Sequence, residues 1–485
     1  MNLALLRPEI CLAATALLAI AVDLFAKRKG IVTLVSLAGI IIAAGLALSL
    51  VGASAQTVGN GLFALDHFAV FFKLLFLGLA FMAILASTDY VKRMERFHGE
   101  FHALILTATL GAMLTAAATD IISILLSVEL TAISFYALVG FLKEGKAGES
   151  SLKYILLGAV NSAVLLYGLA MVFGFTGSTH LSDIAQAVGN IPGGFSGSAG
   201  LIFGLVLIVA GFGFKIAAVP FHMWAPDVYE GAPTPITLLL STASKIAGFS
   251  VLLRFLVTAF IQPTHISQDW GVILAVISAL TMTAGNLLAI QQKNIKRLLA
   301  YSSIAQSGYM LVSVAALGMT SASNLALQSS LLYFIAAFAL AEIAVFTAVI
   351  IVSRKLNSDL IANYAGLAKR SPLLAIGITV GLLSLMGLPP LAGFMGKFYT
   401  FSQATQHGLI WLVIIAVVNS VISAYYYLKI IKTIWMDEPA AEEAVTSSIA
   451  PKLALAVACI GILLLGIAPS IFTRATEWGA HLLLH

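Results

Sequence analysis

The sequence predicts an all-α polytopic membrane protein with about fourteen transmembrane helices, two of them broken. Composition is the first reason. Of its 485 residues, 60% are hydrophobic and only 10% charged, and mean hydropathy is +1.03. Soluble domains carry about 25% charged residues. The second reason is charge-free length. No Asp, Glu, Lys or Arg interrupts Gly30 to Leu65, or Leu298 to Ala341, where about 20 apolar residues suffice for one crossing. The third is proline inside two runs too long for one straight helix.

In chain order the apolar runs predict helices over 9–26, 31–52, 66–88, 101–118, 121–143, 152–176, 199–229, 233–257, 270–290, 298–318, 325–353, 372–406, 409–432 and 451–473. Arg7 precedes the first, but the denser Lys27-Arg28-Lys29 follows it. That is the reverse of a secretory leader, so the first helix is expected to be retained. The seventh run contains Pro220 and the twelfth Pro389-Pro390.

Basic residues orient the chain. After odd-numbered helices come Lys27, Arg28 and Lys29; Lys92, Arg93 and Arg96; Lys143, Lys146 and Lys153; Lys293, Lys296 and Arg297; Arg354, Lys355, Lys369 and Arg370; and Lys429, Lys432 and Lys452. The other side has only Arg7, Arg254 and Arg474. Both termini are therefore expected in the periplasm. Cys11 and Cys459 lie in apolar runs and form no CxxC pair, so they read as small buried hydrophobes. Neither a GxGxxG nor a Walker loop occurs. Any redox or nucleotide machinery belongs to other chains.

Four lysines remain, all inside predicted spans: Lys73, Lys215, Lys245 and Lys397. Glu129 and Glu342 join them. A lysine at a helix centre costs roughly 2.5–3.5 kcal/mol on insertion scales, so several together are not incidental. Lys73, near the periplasmic end, reads as snorkelling to the interface. Glu342 fits a structural hydrogen bond or a functional carboxylate equally. Glu129 and Lys245 lie too deep to snorkel, and Lys215 and Lys397 flank the breaks, so these four read as functional.

Proline frees a carbonyl, which hydrocarbon tolerates only where protein or a wet cavity supplies a partner. Broken helices near the midplane recur at ion-translocation sites. Gly211-Phe212-Gly213-Phe214-Lys215 leads into Pro220 and His222, and Gly387-Leu388-Pro389-Pro390 leads to Gly393 and Lys397. His222, titrating nearer neutrality, is read as a relay rather than a packed histidine. The breaks lie five helices apart, an odd number, which predicts inverted five-helix units over 101–257 and 270–432. Residues 1–100 form a three-helix segment before them and 451–485 a last helix after. A Glu129–Lys215 pair would hold the lysine's proton, and weakening it would pass the proton toward Lys245.

The run KIAAVPFHMWAPDVYEGAP from Lys215 to Pro233, with Ser244-Lys245 and Gly387-Leu388-Pro389-Pro390-Leu391-Ala392-Gly393-Phe394, resembles the proton-conducting antiporter-like family. That family includes three large subunits of respiratory complex I (bacterial NDH-1), subunits of multisubunit sodium/proton exchangers and membrane hydrogenase subunits. The resemblance spans essentially the whole chain. It implies Glu129 and Lys215 as an input pair, Lys245 as central relay, Lys397 as exit site, and His222 and Lys153 as auxiliaries. Lys397 matches N-type and L-type members rather than M-type. The chain ends about a dozen residues past the last helix, short of the L-type lateral helix, so the N-type of the bacterial NADH–quinone oxidoreductase is the nearest match. This implies proton translocation across a bacterial inner membrane, driven by electron transfer from NADH to quinone on partner subunits. Those partners would hold FMN, iron–sulfur clusters and the NADH and quinone sites, with no cofactor or metal in this chain. Expected partners are other antiporter-like and small membrane subunits and lipid, and no nucleic acid. Rival readings are an exchanger subunit, a structural anchor and a lone secondary carrier.

Overall fold

Charge-free apolar runs satisfy their own backbone only as helices, and helices dominate the computed structural model. It describes residues 3–26, 30–92, 94, 97–143, 145–190, 195–320, 323–439 and 444–482. Lys27, Arg28, Lys29, Arg93 and Arg96 lie outside the described residues.

The first six helices are α1 (Arg7–Phe25), α2 (Gly30–Leu48), α3 (His67–Val91), α4 (His98–Ala117), α5 (Ile121–Val139) and α6 (Gly145–Thr176). A short hairpin, β1 (Gln56–Val58) with β2 (Phe63–Leu65), joins α2 to α3 in antiparallel register. Gly59, Asn60 and Gly61 turn it with positive φ. The surface helix α7 (Leu181–Gly189) follows α6. Apolar periodicity tuned to spans had missed both hairpin and α7.

The predicted seventh span is two pieces, α8 (Phe195–Lys215) and α9 (Trp224–Gly231). The eighth runs from α10 (Thr234–Leu239) through a π-helical turn at Leu240–Ser244 into α11 (Lys245–Ala259). Next come α12 (Thr264–Ile290), α13 (Ile295–Gly318) and α14 (Leu325–Leu356). After the short α15 (Leu367–Arg370), the predicted twelfth span is again broken, into α16 (Pro372–Met386) and α17 (Ala392–Gln406). The chain closes with α18 (Ile410–Trp435), α19 (Ile449–Ile467) and α20 (Pro469–Gly479). Among the described residues, twelve helices are long and apolar enough to cross a membrane.

Burial separates inner from outer helices. The α10–α11 span is wholly buried and α13 and α14 nearly so, whereas α1, α2, α6, α18 and α19 bury only about a third of their apolar windows. Outward leucines and isoleucines such as Leu17, Ile41, Leu156, Ile414 and Ile460 suit lipid or neighbouring subunits.

Three readings of single charges are corrected. Lys73 does not snorkel: it is 1% exposed and pairs with Glu9 at 2.8 Å. Arg254 is no loop charge. It is fully buried on α11 and grips Asp66 through two bonds of 2.8 Å, with a third to Ala116 O. Asp66 also caps α3 through Ala69 N at 2.7 Å, so the pair ties α3, α4 and α11 together. Lys296 is 4% exposed, donates to Ala232 O at 2.8 Å and pairs with Asp359 at 3.4 Å. In each case the partner is distant in sequence, which a count of loop charges does not see.

Candidate functional site

Each break exposes backbone groups, and the fold answers them with side chains. At the first, α8 ends on Lys215 and Ala217 takes a positive φ of 55°. Ala218 N donates back to Gly213 O at 2.7 Å, closing a wide turn. The remaining groups are met from outside. Trp224 Nε1 donates to Phe214 O at 2.9 Å, Ser307 Oγ to Ile216 O at 2.7 Å, and Thr281 Oγ1 accepts from Val219 N at 3.0 Å. Polar side chains of α12 and α13 thus hold a segment that hydrocarbon would not.

The second break is built alike. Gly387 adopts φ 90° at the end of α16, and Gln306 Nε2 donates to Leu385 O at 2.8 Å. Lys397 Nζ itself takes the freed Met386 O at 3.0 Å and reaches Ser420 Oγ at 3.3 Å. A side chain on Gly387 would meet Lys397 Cδ at 3.1 Å. Glycine is therefore required twice over, for the backbone and for the lysine's room.

Lys215 is 7% exposed, and its ammonium has no hydrogen-bond partner among the described residues. It lines a small cavity with Thr115, Thr131, Tyr154 and Ser244. Tyr154 stacks on Trp224 with ring centres 4.6 Å apart, and Phe214 stacks on the same tryptophan at 5.3 Å, walling the site with aromatic rings. Glu129 acts on Lys215 electrostatically but makes no ion pair within 4 Å; its carboxylate accepts from Ser162 Oγ at 2.5 Å. The two are neighbours held apart.

Lys245 begins α11 directly after the π-helical turn, a feature common at functional sites. It is 1% exposed and donates to Ser303, to the carbonyl and, at 2.6 Å, to the hydroxyl. Glu342, fully buried on α14, is its charge partner, and Ser241 lies beside that carboxylate. Glu342 therefore acts on Lys245 through its charge rather than through a direct bond. Tyr333, nine residues earlier, instead donates to Leu465 O on α19.

Lys397, 5% exposed, sits 4.4 Å over the Tyr309 ring. Neutral polar residues of α12, α13 and α18 bond one another in the same bundle. Ser302, next to Ser303, bonds Tyr427, and Gln306 reaches the same Tyr427 hydroxyl at 3.4 Å. Asn286 bridges Tyr309 and Tyr426 with bonds of 2.9 Å each. None of these neutral residues stands out to a search for charge. Asn286 and Gln306 carry the one available signal, an amide inside an apolar run.

The auxiliaries stand apart. His222 is 9% exposed, and its Nδ1 finds no hydrogen-bond partner among the described residues. Lys153 lies at the rim, bonded to Glu149 at 2.8 Å and Asp227 at 3.0 Å. Arg297 clasps the same Asp227 at 2.6 Å and Glu230 at 3.1 Å. Burial alone would raise the Asp227 carboxyl, but the hydrogen bonds from Arg297 and Lys153 outweigh it and hold it below its ordinary value. This rim opens on a cavity of about 940 Å³ lined by Lys146, Glu230, Lys293, Arg297, Arg354 and Asp359. Among the described residues no cluster of His, Cys, Asp and Glu is placed to hold a metal ion.

Residues 118–423 match the family model described as NADH:quinone oxidoreductase/Mrp antiporter, TM. Over 484 residues the chain is 46% identical to the NADH-quinone oxidoreductase subunit N of Dehalococcoides mccartyi, covering 99% of this chain and 100% of that one. Among solved structures it is similar to a chain of respiratory complex I from Thermus thermophilus with bound aureothin. That match has a TM-score of 0.82 and 32% identity and covers 97% of this chain and 100% of the other. A chain of the membrane-bound sulfane sulfur reductase, an archaeal respiratory membrane complex, matches with a TM-score of 0.87 and 26% identity over 99% and 97%.

Proposed function

Because the chain belongs to the NADH:quinone oxidoreductase/Mrp antiporter transmembrane family, we propose that it is a membrane-arm subunit of a proton-translocating NADH–quinone oxidoreductase. Electron transfer takes place on other subunits of that complex, where FMN and the iron–sulfur clusters reside. This chain contributes the proton path and binds its neighbours through its outward apolar faces.

The observation that carries the reading is Lys215: a buried ammonium with no hydrogen-bond partner among the described residues, beside a broken helix and near a carboxylate held by another group. Such a lysine keeps its proton only while Glu129 is close enough to favour the charge. Moving Glu129 nearer loads Lys215, and moving it away drives the proton toward Lys245, whose charge answers to Glu342. Ser302, Tyr427, Gln306, Asn286 and Tyr309 then supply hydrogen-bonding groups toward Lys397. His222 and Lys153 serve at the edges, with Lys153 at the rim where protons enter.

In this reading the two broken helices complete fourteen crossings, and 101–257 and 270–432 are inverted units flanked by 1–100 and 451–485. The membrane is the bacterial inner membrane. The rim cluster faces the cytoplasm and both termini face the periplasm, as the basic loops favour.

The test is NADH-driven proton uptake by inverted membrane vesicles, wild type against Lys215→Ala, with a native gel to follow assembly. The expected variant assembles but loses uptake and quinone-linked NADH oxidation. Intact NADH-driven uptake with loss of sodium-dependent proton exchange would instead assign the chain to an exchanger. Lost assembly with normal uptake per assembled complex would make it an anchor.

A further inference from the structure

Ser307 has one hydroxyl proton and two acceptors. Its Oγ lies 2.7 Å from Ile216 O, a carbonyl in the break beside Lys215, and 3.2 Å from Ser303 O one turn back on α13. Ser303 O is also the carbonyl that Lys245 Nζ occupies, with Ser303 Oγ as the ammonium's second partner at 2.6 Å. Ser307 is fully buried, so bulk water does not replace a bond it gives up. A single α13 carbonyl therefore stands between the charge of Lys245 and the grip on the break next to Lys215.

We propose that Ser307 is a positioning residue whose hydroxyl turns between Ile216 O and Ser303 O according to the charge on Lys245. The proposal deepens, and rests on, the reading of Lys215 and Lys245 as proton carriers.

The physics is competition at one oxygen. A hydrogen bond from an ammonium is roughly twice as strong as a neutral one. While Lys245 is charged it claims Ser303 O and its positive field opposes a second donor there. Ser307 is then turned outward, and the break is clamped through Ile216 O. When Lys245 gives up its proton, its hold on Ser303 O weakens. Ser307 reverts to the backbone bond to residue i−4 that helical serines make by default. Ile216 O loses its donor, and the turn from Phe214 to Val219 loosens around Lys215. Emptying the central lysine would in this way open the site that refills it. The other titratable groups that bear on the switch are Glu342 of α14, which faces Lys245, and Tyr229 of α9, whose hydroxyl is close to Ser303.

Hydrogen–deuterium exchange of the intact complex, read by mass spectrometry on a peptide covering 211–219, reports the clamp directly through the bonded amides of Ile216 and Ala218. Ser307→Ala and Lys245→Gln should each speed exchange by about fivefold, the worth of one hydrogen bond. The double variant should be no faster than either single one, because both remove the same clamp. Lys245→Arg, which keeps the charge, and Ser307→Thr, which keeps the hydroxyl, should both stay near wild type. Multiplying effects in the double variant, about 25-fold together, would overturn the proposal. So would Ser307→Ala at the wild-type rate, or Lys245→Arg behaving as Lys245→Gln. Exchange is read without turnover, so a failure of the pumping reading in Lys215→Ala vesicles is a separate result.

Discussion

Lys73→Ala will strand the Glu9 carboxylate. The two groups lie 2.8 Å apart with side chains only 1% and 5% exposed, so solvent neither screens the attraction nor rescues the partner left behind. At a surface such a pair is worth about 0–1 kcal/mol. Buried, the removal of one member costs roughly 3–5 kcal/mol, whereas replacing both with apolar groups of similar volume is often neutral. At 1.4 kcal/mol per factor of ten, the single change should raise the open or dissociated population by roughly a hundredfold to a few thousandfold. The assay is a cycle of Lys73→Met, Glu9→Leu and their double variant, with Lys73→Ala alongside. Each is scored by the temperature at which detergent-solubilised complex releases this subunit on a native gel. Lys73→Ala should fall well below wild type and the apolar double should recover most of the loss. A Lys73→Ala subunit as stable as wild type would refute the buried pair and restore a lysine that snorkels. A double variant as unstable as the sum of the singles would refute the coupling.

Three further outcomes follow from the geometry. Gly387→Ala places a side chain at φ 90° and 3.1 Å from Lys397 Cδ; it should cost about 1–2 kcal/mol in backbone strain and lower proton uptake far more than assembly, in the same vesicles. Arg254→Leu leaves Asp66 buried without its two bonds, so the variant should assemble poorly on native gels, by about 3–5 kcal/mol, while Arg254→Leu/Asp66→Asn recovers part of the loss. Asp227 has its carboxyl held down, so its contribution at the rim is complete at neutral pH and fades as pH falls below the ordinary carboxylate value of about 4; Asp227→Asn should lower thermal stability at pH 7 and match wild type in strong acid.

The helical membrane class, the place of both breaks and three of the buried charges were legible because each is expensive. A lysine in an apolar run, or a proline inside one, has no inexpensive explanation, so Lys215, Lys245, Lys397 and Pro220 announce themselves. Pairing was not legible. Glu9 lies at a helix start, where a carboxylate is ordinary, and only the packing of α1 against α3 brings it to Lys73. Arg254 lies near a predicted span end, and Asp66, its partner, is 188 residues away. The neutral polar groups beside the lysines were hidden for another reason. A serine or threonine in a helix satisfies itself on its own backbone, so Ser303 and Ser307 look no different from Ser250, which does just that with Ala247 O.

The polar side chains that let α13 brace both breaks also bear on how the chain enters the membrane. Of the twelve helices able to cross, α13 is the least apolar, yet it ends up almost wholly buried. The insertion machinery judges a segment by its sequence before its final neighbours arrive, and α13 presents Ser302, Ser303, Gln306, Ser307 and Ser313 to that judgement. Its predecessor α12 is markedly more apolar and only a short turn, 291–294, separates them. Ser278 of α12 already bonds Gly308 O of α13 at 2.7 Å. The two are suited to enter as one hairpin, the greasier helix carrying the polar one. Synthesis thus lays down the central strut before the second broken helix exists, leaving it waiting for the carbonyl that Gln306 will hold.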